Sequence, residues 1–219
     1  MSTGHYRDRL DDQPIETELL SDELLHGGFR DFKVATLRHA RLDGEGMVGP
    51  VRREYLHTGS VVVVIPYDPV LDSIVVIRQF RLAAALKTEC GAALELPAGM
   101  VDAGESIEAA ARRELTEETG LVPQAIEDCF RMLAAPGLTD EHATIFLALV
   151  DASNLATSAG NADEDEDIRP ILAKVDDLVA AVDDRRVENG YLIACTHWFA
   201  RLGRSRAQAL LGTLDGPED

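Results

Sequence analysis

The sequence has few positive charges and no long apolar run. Its 219 residues include 21 Lys and Arg against 39 Asp and Glu, a formal net charge of −18 at pH 7. Binding to DNA, RNA or an anionic membrane draws on positive charge, so this balance argues against those partners. No segment approaches the roughly 18 consecutive apolar residues of a membrane-spanning helix, and the N-terminus lacks an apolar run of signal-peptide length. We therefore expect a soluble, cytoplasmic protein.

Cysteine is also scarce, with three residues at positions 90, 129 and 195. Their odd number and wide spacing argue against a disulfide framework and against a zinc site, and favour a reducing compartment. The six histidines show no ligand spacing either. Any metal ion must therefore be held by oxygen ligands.

Apolar residues make up 46% of the chain, which is enough for a hydrophobic core. β-Branched and alternating segments predict strands, and an alanine-rich segment between two glycines predicts the clearest helix. The order of these elements indicates an α/β protein with an N-terminal antiparallel ribbon. The predicted strands are 32–41, 51–57, 60–65, 74–77, 125–134, 142–150 and 170–175, and the predicted helices are 106–119, 176–186 and 191–204.

The clearest helix breaks its own apolar pattern. At 100° per residue, Ala110 and Leu115 belong to an apolar stripe, yet Glu114 and Glu118 fall within that stripe and Glu117 at its edge. A buried, unpaired carboxylate costs several kcal/mol, so these acids need a cation or a cleft. No basic residue lies on the same stripe. The cluster therefore favours a hard divalent cation such as Mg²⁺ or Mn²⁺ over the alternative, a structural network of ion pairs.

The spacing around these glutamates resembles the Nudix box. Gly99 is followed after five residues by Glu105 and, after seven more, by the run Arg-Glu-Leu-Thr-Glu-Glu-Thr-Gly-Leu at 113–121. The resemblance implies the Nudix fold, an α/β/α sandwich around a mixed central sheet. We accordingly divide the chain into an N-terminal arm and ribbon (1–57), a Nudix hydrolase domain (58–205) and a C-terminal tail (206–219).

The same resemblance assigns roles to the residues of the box. It implies that the box glutamates bind the divalent metal and that the carbonyl of the preceding residue adds a backbone ligand. Two further residues orient the loop and the ligands. The implied metal ligands are Ala98, Glu114, Glu117 and Glu118, and the implied orienting residues are Glu105 and Arg113.

Segments outside the box resemble the ADP-ribose pyrophosphatase branch of the family. They are Glu-Leu-Pro-Ala-Gly at 95–99, Ala-Pro-Gly-Leu-Thr-Asp-Glu at 135–141, Val-Arg-Arg-Glu at 51–54, Arg-Gln-Phe-Arg at 78–81 and the acidic run at 163–168. A guanidinium can bind diphosphate or ribose oxygens through two parallel hydrogen bonds. Phe29 is the candidate for stacking on the adenine, although Arg30 stands where a second aromatic is expected. The implied substrate contacts are Arg53, Glu54, Arg81, Phe29 and Glu141.

The resemblance also implies a reaction. Metal-assisted attack of water on the adenosyl phosphorus of ADP-ribose would give AMP and ribose 5-phosphate. The base that takes the proton from this water comes from the acidic loop, with Glu164 as first choice and Glu166 as second. Members of this branch are usually homodimers that exchange the N-terminal ribbon, so we expect a homodimer in which Arg53 and Glu54 serve the partner's site.

Three alternatives stay open. The protein could hydrolyse another nucleotide sugar such as GDP-mannose, whose enzymes share the acidic loop and the dimer. It could be a Nudix-fold module that binds ADP-ribose without cleaving it, although such modules commonly lose box glutamates and here all are present. A purely structural acidic domain is disfavoured, because it would not place glutamates on the apolar stripe of a helix.

Overall fold

The computed structural model describes residues 10–160 and 166–214. The chain forms two compact units. The first consists of the chain up to Gly59 together with Ala135–Glu141, and the second contains the remainder. The sequence-based division placed its boundary after residue 57 and did not group the segment 135–141 with the ribbon.

The first unit is a small antiparallel sheet with little core. Within the described residues its strand order is β1-β2-β3. Among the described residues of this unit, the buried apolar side chains are those of Val34 and Ala35. The predicted ribbon corresponds to β2 and β3, whereas β1 lies in the segment that the sequence analysis treated as an arm. The strands are β1 (Thr17–His26), β2 (Asp31–Ala40) and β3 (Met47–His57).

The segment 135–141 belongs to this unit because it is hydrogen-bonded to the end of β3 and the residues after it. The Leu56 N–H donates to the Leu138 carbonyl at 2.9 Å. The Asp140 carboxylate accepts from the Thr58 N–H at 2.7 Å. These bonds hold a sequence-distant loop beside the exit of the ribbon.

The second unit is built on a mixed sheet with the strand order β10-β5-β4-β9-β8 in the described residues, to which β6 adds on β5 and β7 on β4. Strands β4 and β9 run parallel, and the other pairs are antiparallel. The strands are β4 (Ser60–Asp68), β5 (Ser73–Phe80), β6 (Ala92–Glu95), β7 (Ala98–Met100), β8 (Ala125–Leu133), β9 (His142–Leu149) and β10 (Arg169–Lys174).

Helices cover both faces of this sheet. Successive side chains of β4 point to opposite faces, so Val62 packs with Leu115 in one core cluster and Val63 with Leu192 in the other. The predicted α/β/α sandwich with a mixed sheet is thereby confirmed. The helices are α1 (Leu82–Thr88), α2 (Ile107–Thr119), α3 (Val175–Asp183), α4 (Gly190–Trp198) and α5 (Arg204–Gly212).

The C-terminal helices extend further than the sequence pattern indicated. A π-helical turn, Phe199–Gly203, joins α4 to α5, and the Phe199 ring lies where a Cβ on Gly203 would be. Helix α5 then continues through part of the segment treated as a tail, because Ala207 packs in the core at 1% exposure. In the described ranges, no helix combines the length and apolar content needed to cross a membrane.

Candidate active site

Helix α2 carries much of the candidate site, and local hydrogen bonds define its ends. The Ser106 side-chain oxygen accepts from the Ala109 N–H at 3.1 Å and caps the first turn. Gly120, at a φ of +74°, ends the helix and donates its N–H to the Thr116 carbonyl at 2.8 Å. Leu115 is fully buried on the sheet side. The helix is therefore held against the sheet by one defined face.

Two of the three box glutamates lie on this buried side. Glu118 is only 3% exposed, and its carboxylate accepts a hydrogen bond from the Ala98 N–H at 2.9 Å. The Glu114 side chain is 13% exposed, whereas that of Glu117 is 49% exposed. The helical-wheel prediction is thus confirmed for the placement of these side chains. Their assigned role as metal ligands stays a prediction.

Arg113 joins the acidic residues of the box. Its Nε and Nη2 donate to the two carboxylate oxygens of Glu105 at 3.1 and 3.0 Å. Its Nη1 donates to Glu114 at 2.6 Å and to Glu117 at 3.2 Å, while Nη2 also donates to the Met100 carbonyl at 2.9 Å. No basic residue lies on the stripe itself, as the sequence indicates, but the acids still have a basic partner. A long arginine adjacent to the apolar stripe reaches the acids from outside it.

Burial and like charges act strongly on these carboxylates. Burial raises the pKa of Glu118 to about 8, the Ala98 N–H opposes this shift, and the charges of Glu114 and Glu166 add to it. Burial also raises the pKa of Glu114 above its ordinary value, against the lowering effect of Arg113. A cation bound between the Glu114 and Glu118 carboxylates would compensate their negative charges. The site is therefore electrostatically suited to a cation.

Gly99 leaves the space that the Glu114 carboxylate occupies. A Cβ at this position would lie 1.9 Å from Oε1 of Glu114 and 2.0 Å from its Cδ. A side chain at position 99 would therefore require the Glu114 carboxylate to move. The first glycine of the box therefore allows the carboxylate to lie directly against the backbone of the preceding loop.

A second arginine, Arg81, lies just before α1. Its Nε is 3.1 Å from both carboxylate oxygens of Glu95, and its Nη2 is 2.8 Å from Oε2. Burial lowers the pKa of Arg81, but Glu95 and the charges of Glu118 and Glu166 raise it, and the net direction is upward. Arg81 thus lies in the electrostatic field of the acidic cluster, within the same unit. This location agrees with its predicted role as a substrate contact.

Residues on either side of the acidic run are hydrogen-bonded to each other and to the C-terminal part of α2. The Gly160 N–H donates to the Glu117 carbonyl at 3.3 Å, and Ala159 pairs with Ile168 through two backbone hydrogen bonds of 2.9 and 3.1 Å. Glu166 is close enough for its charge to raise the pKa of both Glu114 and Glu118. Glu164, the first-choice base, lies outside the described residues.

The remaining predicted substrate contacts belong to the first unit. Arg53 and Glu54 lie on β3, where Arg53 donates to the Arg52 carbonyl at 3.0 Å and Glu54 accepts from the Arg52 side chain at 3.1 Å. Phe29 is 92% exposed between β1 and β2, and the Arg30 guanidinium lies 4.7 Å from its ring centroid. Glu141 closes the segment 135–141. The structure places each of these residues, and their contact with substrate stays a prediction.

The described residues include no three Asp, Glu, His or Cys side chains arranged to hold a metal ion. Arg113 engages Glu114 and Glu117, and a backbone N–H engages Glu118. The donor set nevertheless suits a hard divalent cation, since it offers carboxylate oxygens and the Ala98 carbonyl lies next to Gly99. The loop accommodates a carboxylate where a Cβ would otherwise lie, and burial disfavours leaving that charge uncompensated.

Sequence reasoning missed the partners of Arg81. The motif at 95–99 contains Glu95 without indicating a role for it, and no motif includes Asn189. Gln79 and Asn189 both donate to the Glu95 carboxylate, at 3.2 and 3.1 Å. The available signal was an acid at the end of a short apolar strand, a position that a buried strand normally fills with an apolar side chain.

Comparison with known proteins identifies the family. Residues 57–194, more than half of the chain, match the family model described as the NUDIX domain. The chain is 36% identical to the ADP-ribose pyrophosphatase of Escherichia coli strain K12 over 183 residues, covering 84% of this chain and 87% of that protein. It is 32% identical to the Haemophilus influenzae ADP-ribose pyrophosphatase over 186 residues, covering 84% and 85%.

A GDP-mannose pyrophosphatase is also similar. The protein of that name from Pectobacterium atrosepticum is 31% identical over 196 residues, covering 85% of this chain and 96% of the relative. The chain therefore belongs to the Nudix hydrolase family, and the membership predicted from the box is confirmed. Members of this family generally depend on divalent metal ions.

Proposed function

We propose that this protein hydrolyses the diphosphate bond of ADP-ribose and releases AMP and ribose 5-phosphate. The observation that carries the proposal is the 36% identity over 84% of the chain to a protein named ADP-ribose pyrophosphatase. The site supports it, because every fixed position of the box is filled and the box acids lie together on one helix. This arrangement favours catalysis over binding without cleavage.

The box residues would hold Mg²⁺ or Mn²⁺ through the Glu114, Glu117 and Glu118 carboxylates and the Ala98 carbonyl. Such a cation supplies neutralisation of the diphosphate oxygens and acidifies the attacking water. Arg113 and Glu105 keep the acidic side chains oriented, since Arg113 donates to three of the box carboxylates at once. Orientation by such outer residues commonly governs metal affinity.

A carboxylate outside the ligand set takes the proton from the attacking water. The acidic segment supplies it, with Glu164 as the first choice and Glu166 as the alternative. The hydrogen bond from Gly160 to Glu117 and the Ala159–Ile168 pairing support this choice, because they place the described residues that flank the acidic run beside the box helix. A base must come within hydrogen-bond reach of the proton that it removes.

Substrate contacts are proposed in each unit by itself. In the second unit, Arg81 lies in the electrostatic field of the acidic cluster and would bind the diphosphate or the ribose. In the first unit, Arg53, Glu54 and Glu141 would make polar contacts with substrate, and the exposed ring of Phe29 would stack on the adenine.

We also propose a homodimer formed through the N-terminal sheet. Strand β1 is an edge strand whose leucine side chains are exposed, and exposed apolar patches often mark protein–protein interfaces. Sedimentation equilibrium at micromolar concentration tests this assignment, with a monomer as the contradicting result. The exposed side chains are Leu19, Leu20, Leu24 and Leu25.

GDP-mannose is the second candidate substrate, because the Pectobacterium relative bears that name and the match covers 96% of its length. The two proposals are separated by incubating the protein with a panel of nucleotide sugars and Mg²⁺ and following phosphomonoester release. ADP-ribose should be cleaved most efficiently, and no cleavage should occur with EDTA. Preference for GDP-mannose would support the second candidate, and binding of ADP-ribose without any cleavage would support the non-catalytic module.

The base assignment has its own test. Glu164→Gln and Glu166→Gln remove one carboxylate each at constant size. The base variant should lose about 100-fold in kcat, within the range of general base catalysis. Near-normal turnover in Glu164→Gln together with a large loss in Glu166→Gln would move the assignment to Glu166.

A further inference from the structure

Glu95 is a buried acid to which the proposed reaction gives no role. It ends strand β6, three residues before Ala98, and only 7% of its surface is exposed. A buried carboxylate is unfavourable unless hydrogen bonds and a counter-charge compensate it. Its position in a short strand of the sheet would otherwise suit an apolar residue. The contacts of Glu95 must therefore compensate the cost of burying its charge.

Those contacts form a closed cluster around one arginine. The two oxygens of Glu95 accept three hydrogen-bond contacts of 2.8–3.1 Å from the Arg81 guanidinium. Gln79 adds one at 3.2 Å and Asn189 another at 3.1 Å. Both oxygens are thus occupied from two sides, so neither the carboxylate nor the guanidinium can rotate without breaking several bonds.

Arg81 also lies in the electrostatic field of the acidic cluster. The negative charges of Glu118 and Glu166 both act on its guanidinium. Of the guanidinium nitrogens of Arg81, Nε and Nη2 donate to Glu95, whereas Nη1 makes no hydrogen bond to any residue that the structure describes. Anionic oxygens of a substrate held at the box are the acceptors that a guanidinium matches best.

We propose that Glu95 is a positioning residue: it fixes the Arg81 guanidinium toward the diphosphate or ribose oxygens of the substrate, and Asn189 fixes Glu95 in turn. This inference rests on the proposed function. Its physical basis is preorganisation, because an arginine loses rotamer entropy when a ligand immobilises it. Where the folded protein already holds the side chain, substrate binding does not bear that cost.

Asn189 connects this cluster to helix α4. Its Oδ1 accepts from the Leu192 N–H at 2.9 Å and caps the helix, while its Nδ2 donates to Glu95. One side chain thus ties the start of α4 to the carboxylate that holds Arg81. Substitution by serine keeps a capping oxygen and removes the amide donor, so it separates the two roles.

The test measures steady-state hydrolysis of ADP-ribose with Mg²⁺ for wild type, Glu95→Gln, Arg81→Ala and the double variant. Glu95→Gln keeps the side-chain size and removes the charge. Its KM should rise about tenfold, equivalent to about 1.4 kcal/mol, with kcat changed less than threefold, because a contact made equally in ground and transition states affects KM. Asn189→Ser should raise KM about threefold, in the range of one hydrogen bond.

The double variant distinguishes positioning from independent action. If Glu95 acts through Arg81, the double variant should have the same kcat/KM as Arg81→Ala alone, because the guanidinium that Glu95 orients is already gone. Independent losses that multiply in the double variant would overturn the inference. An unchanged KM in both Glu95→Gln and Asn189→Ser would also overturn it.

Controls separate this outcome from misfolding and from failure of the proposed function. Glu127→Gln breaks a comparable two-bond ion pair with Arg206 and should leave KM unchanged. Thermal unfolding identifies any variant whose loss is structural, and Asn189→Ser supplies the result if Glu95→Gln does not fold. If the wild-type protein does not hydrolyse ADP-ribose, the proposed function fails. If the wild type is active but the losses in kcat/KM of the two single variants multiply in the double variant, only the positioning role is contradicted.

Discussion

Arg113 and Arg81 lie in the same unit and are built into it in opposite ways. Arg113 is a single cation that donates hydrogen bonds to three carboxylates, those of Glu105, Glu114 and Glu117. Arg81 is bound by one carboxylate, Glu95, which the fold immobilises from the other side. In the first cluster one arginine orients several glutamates, whereas in the second one glutamate orients an arginine.

This difference relates to what each cluster is proposed to bind. The acids around Arg113 are the candidate ligands of a metal cation, so their orientation governs metal affinity and turnover. The guanidinium of Arg81 is the candidate contact of an anionic substrate, so its orientation governs substrate affinity. Substitutions in the first cluster should therefore change kcat and metal dependence, and those in the second should change KM.

The largest effect is expected from Gly99→Ala. The added Cβ would overlap the Glu114 carboxylate, which lies within 2.0 Å of that point, and would push it away from Arg113. Displacement of a site group by about 1 Å can cost about 100-fold in rate, and we expect a loss in kcat of at least that order. Gly212→Ala is the control, since its Cβ would meet no atom within 4 Å. Normal kcat in Gly99→Ala would show that the Glu114 position is unimportant.

Arg113→Lys should have the next largest effect. Lysine keeps the positive charge but cannot reproduce the fork that contacts Glu105, Glu114 and Glu117 together. We expect activity at limiting Mg²⁺ to fall 10- to 100-fold, with partial recovery at high Mg²⁺. Metal titrations of initial rate measure this effect. Arg112→Lys is the matched control, because Arg112 forms an i,i+4 pair with Glu108 on the exposed face.

Arg81→Lys should change KM rather than metal dependence. The lysine ammonium cannot bind Glu95 and the substrate through two parallel donors, so we expect KM for ADP-ribose to rise about tenfold. The Mg²⁺ concentration for half-maximal rate should stay within twofold of wild type. Arg131→Lys is a suitable control, because Arg131 pairs with Asp128 on β8. A shift in metal dependence without a change in KM would reverse the proposed roles of the two arginines.

The smallest effect concerns Arg204, an arginine outside both clusters. Its hydrogen bonds to Asp72 hold the pKa of this carboxyl below its ordinary value, and burial acts in the opposite direction. A lowered pKa gives stability that is present above the ordinary aspartate pKa of about 3.9 and is lost as pH falls through the lowered value. Because both side chains are nearly half exposed, the contribution is at most about 1 kcal/mol.

Asp72→Asn tests this expectation by urea unfolding between pH 3 and 7. Asparagine tolerates the positive φ of 45° at this position, so the backbone should be undisturbed. The wild type should be more stable near pH 7, and the difference should shrink toward acid pH. Asp176→Asn serves as comparison, since Asp176 binds Arg204 with a side chain that is 87% exposed. A constant difference across this range would contradict the electrostatic explanation.

The sequence predicted the elements whose signals are local. Gly120 ends α2 as expected, and the helical wheel correctly placed Glu114 and Glu118 on the buried side. The β-branched runs at 60–65 and 74–77 became the buried strands β4 and β5. The spacing of the box residues was sufficient to indicate the family, because the box consists of one loop and the helix that follows it, which are adjacent in sequence.

Elements with weak local signals were missed. Strand β1 is exposed along most of its length and carries no clear alternation, so it resembled an arm until its pairing with β2 was seen. Helix α1 has seven residues and no buried side chain, which left little periodicity to detect. Helix α5 was treated largely as a tail, although packing of Ala207 against the core holds it.

The sequence by itself determined the α/β class, the Nudix family and the position of the acids on α2, because capping, periodicity and motif spacing act over a few residues. Only the tertiary structure decided that Arg113, on α2, reaches the Met100 carbonyl of β7 and that Glu95 joins Arg81 to Asn189, 94 positions away from Glu95. Such contacts depend on how strands and helices pack, since pairing across a sheet brings distant segments within hydrogen-bond distance. In a chain with a net charge of −18, packing thus forms two ordered clusters, one in which Arg113 orients glutamates and one in which Glu95 orients Arg81.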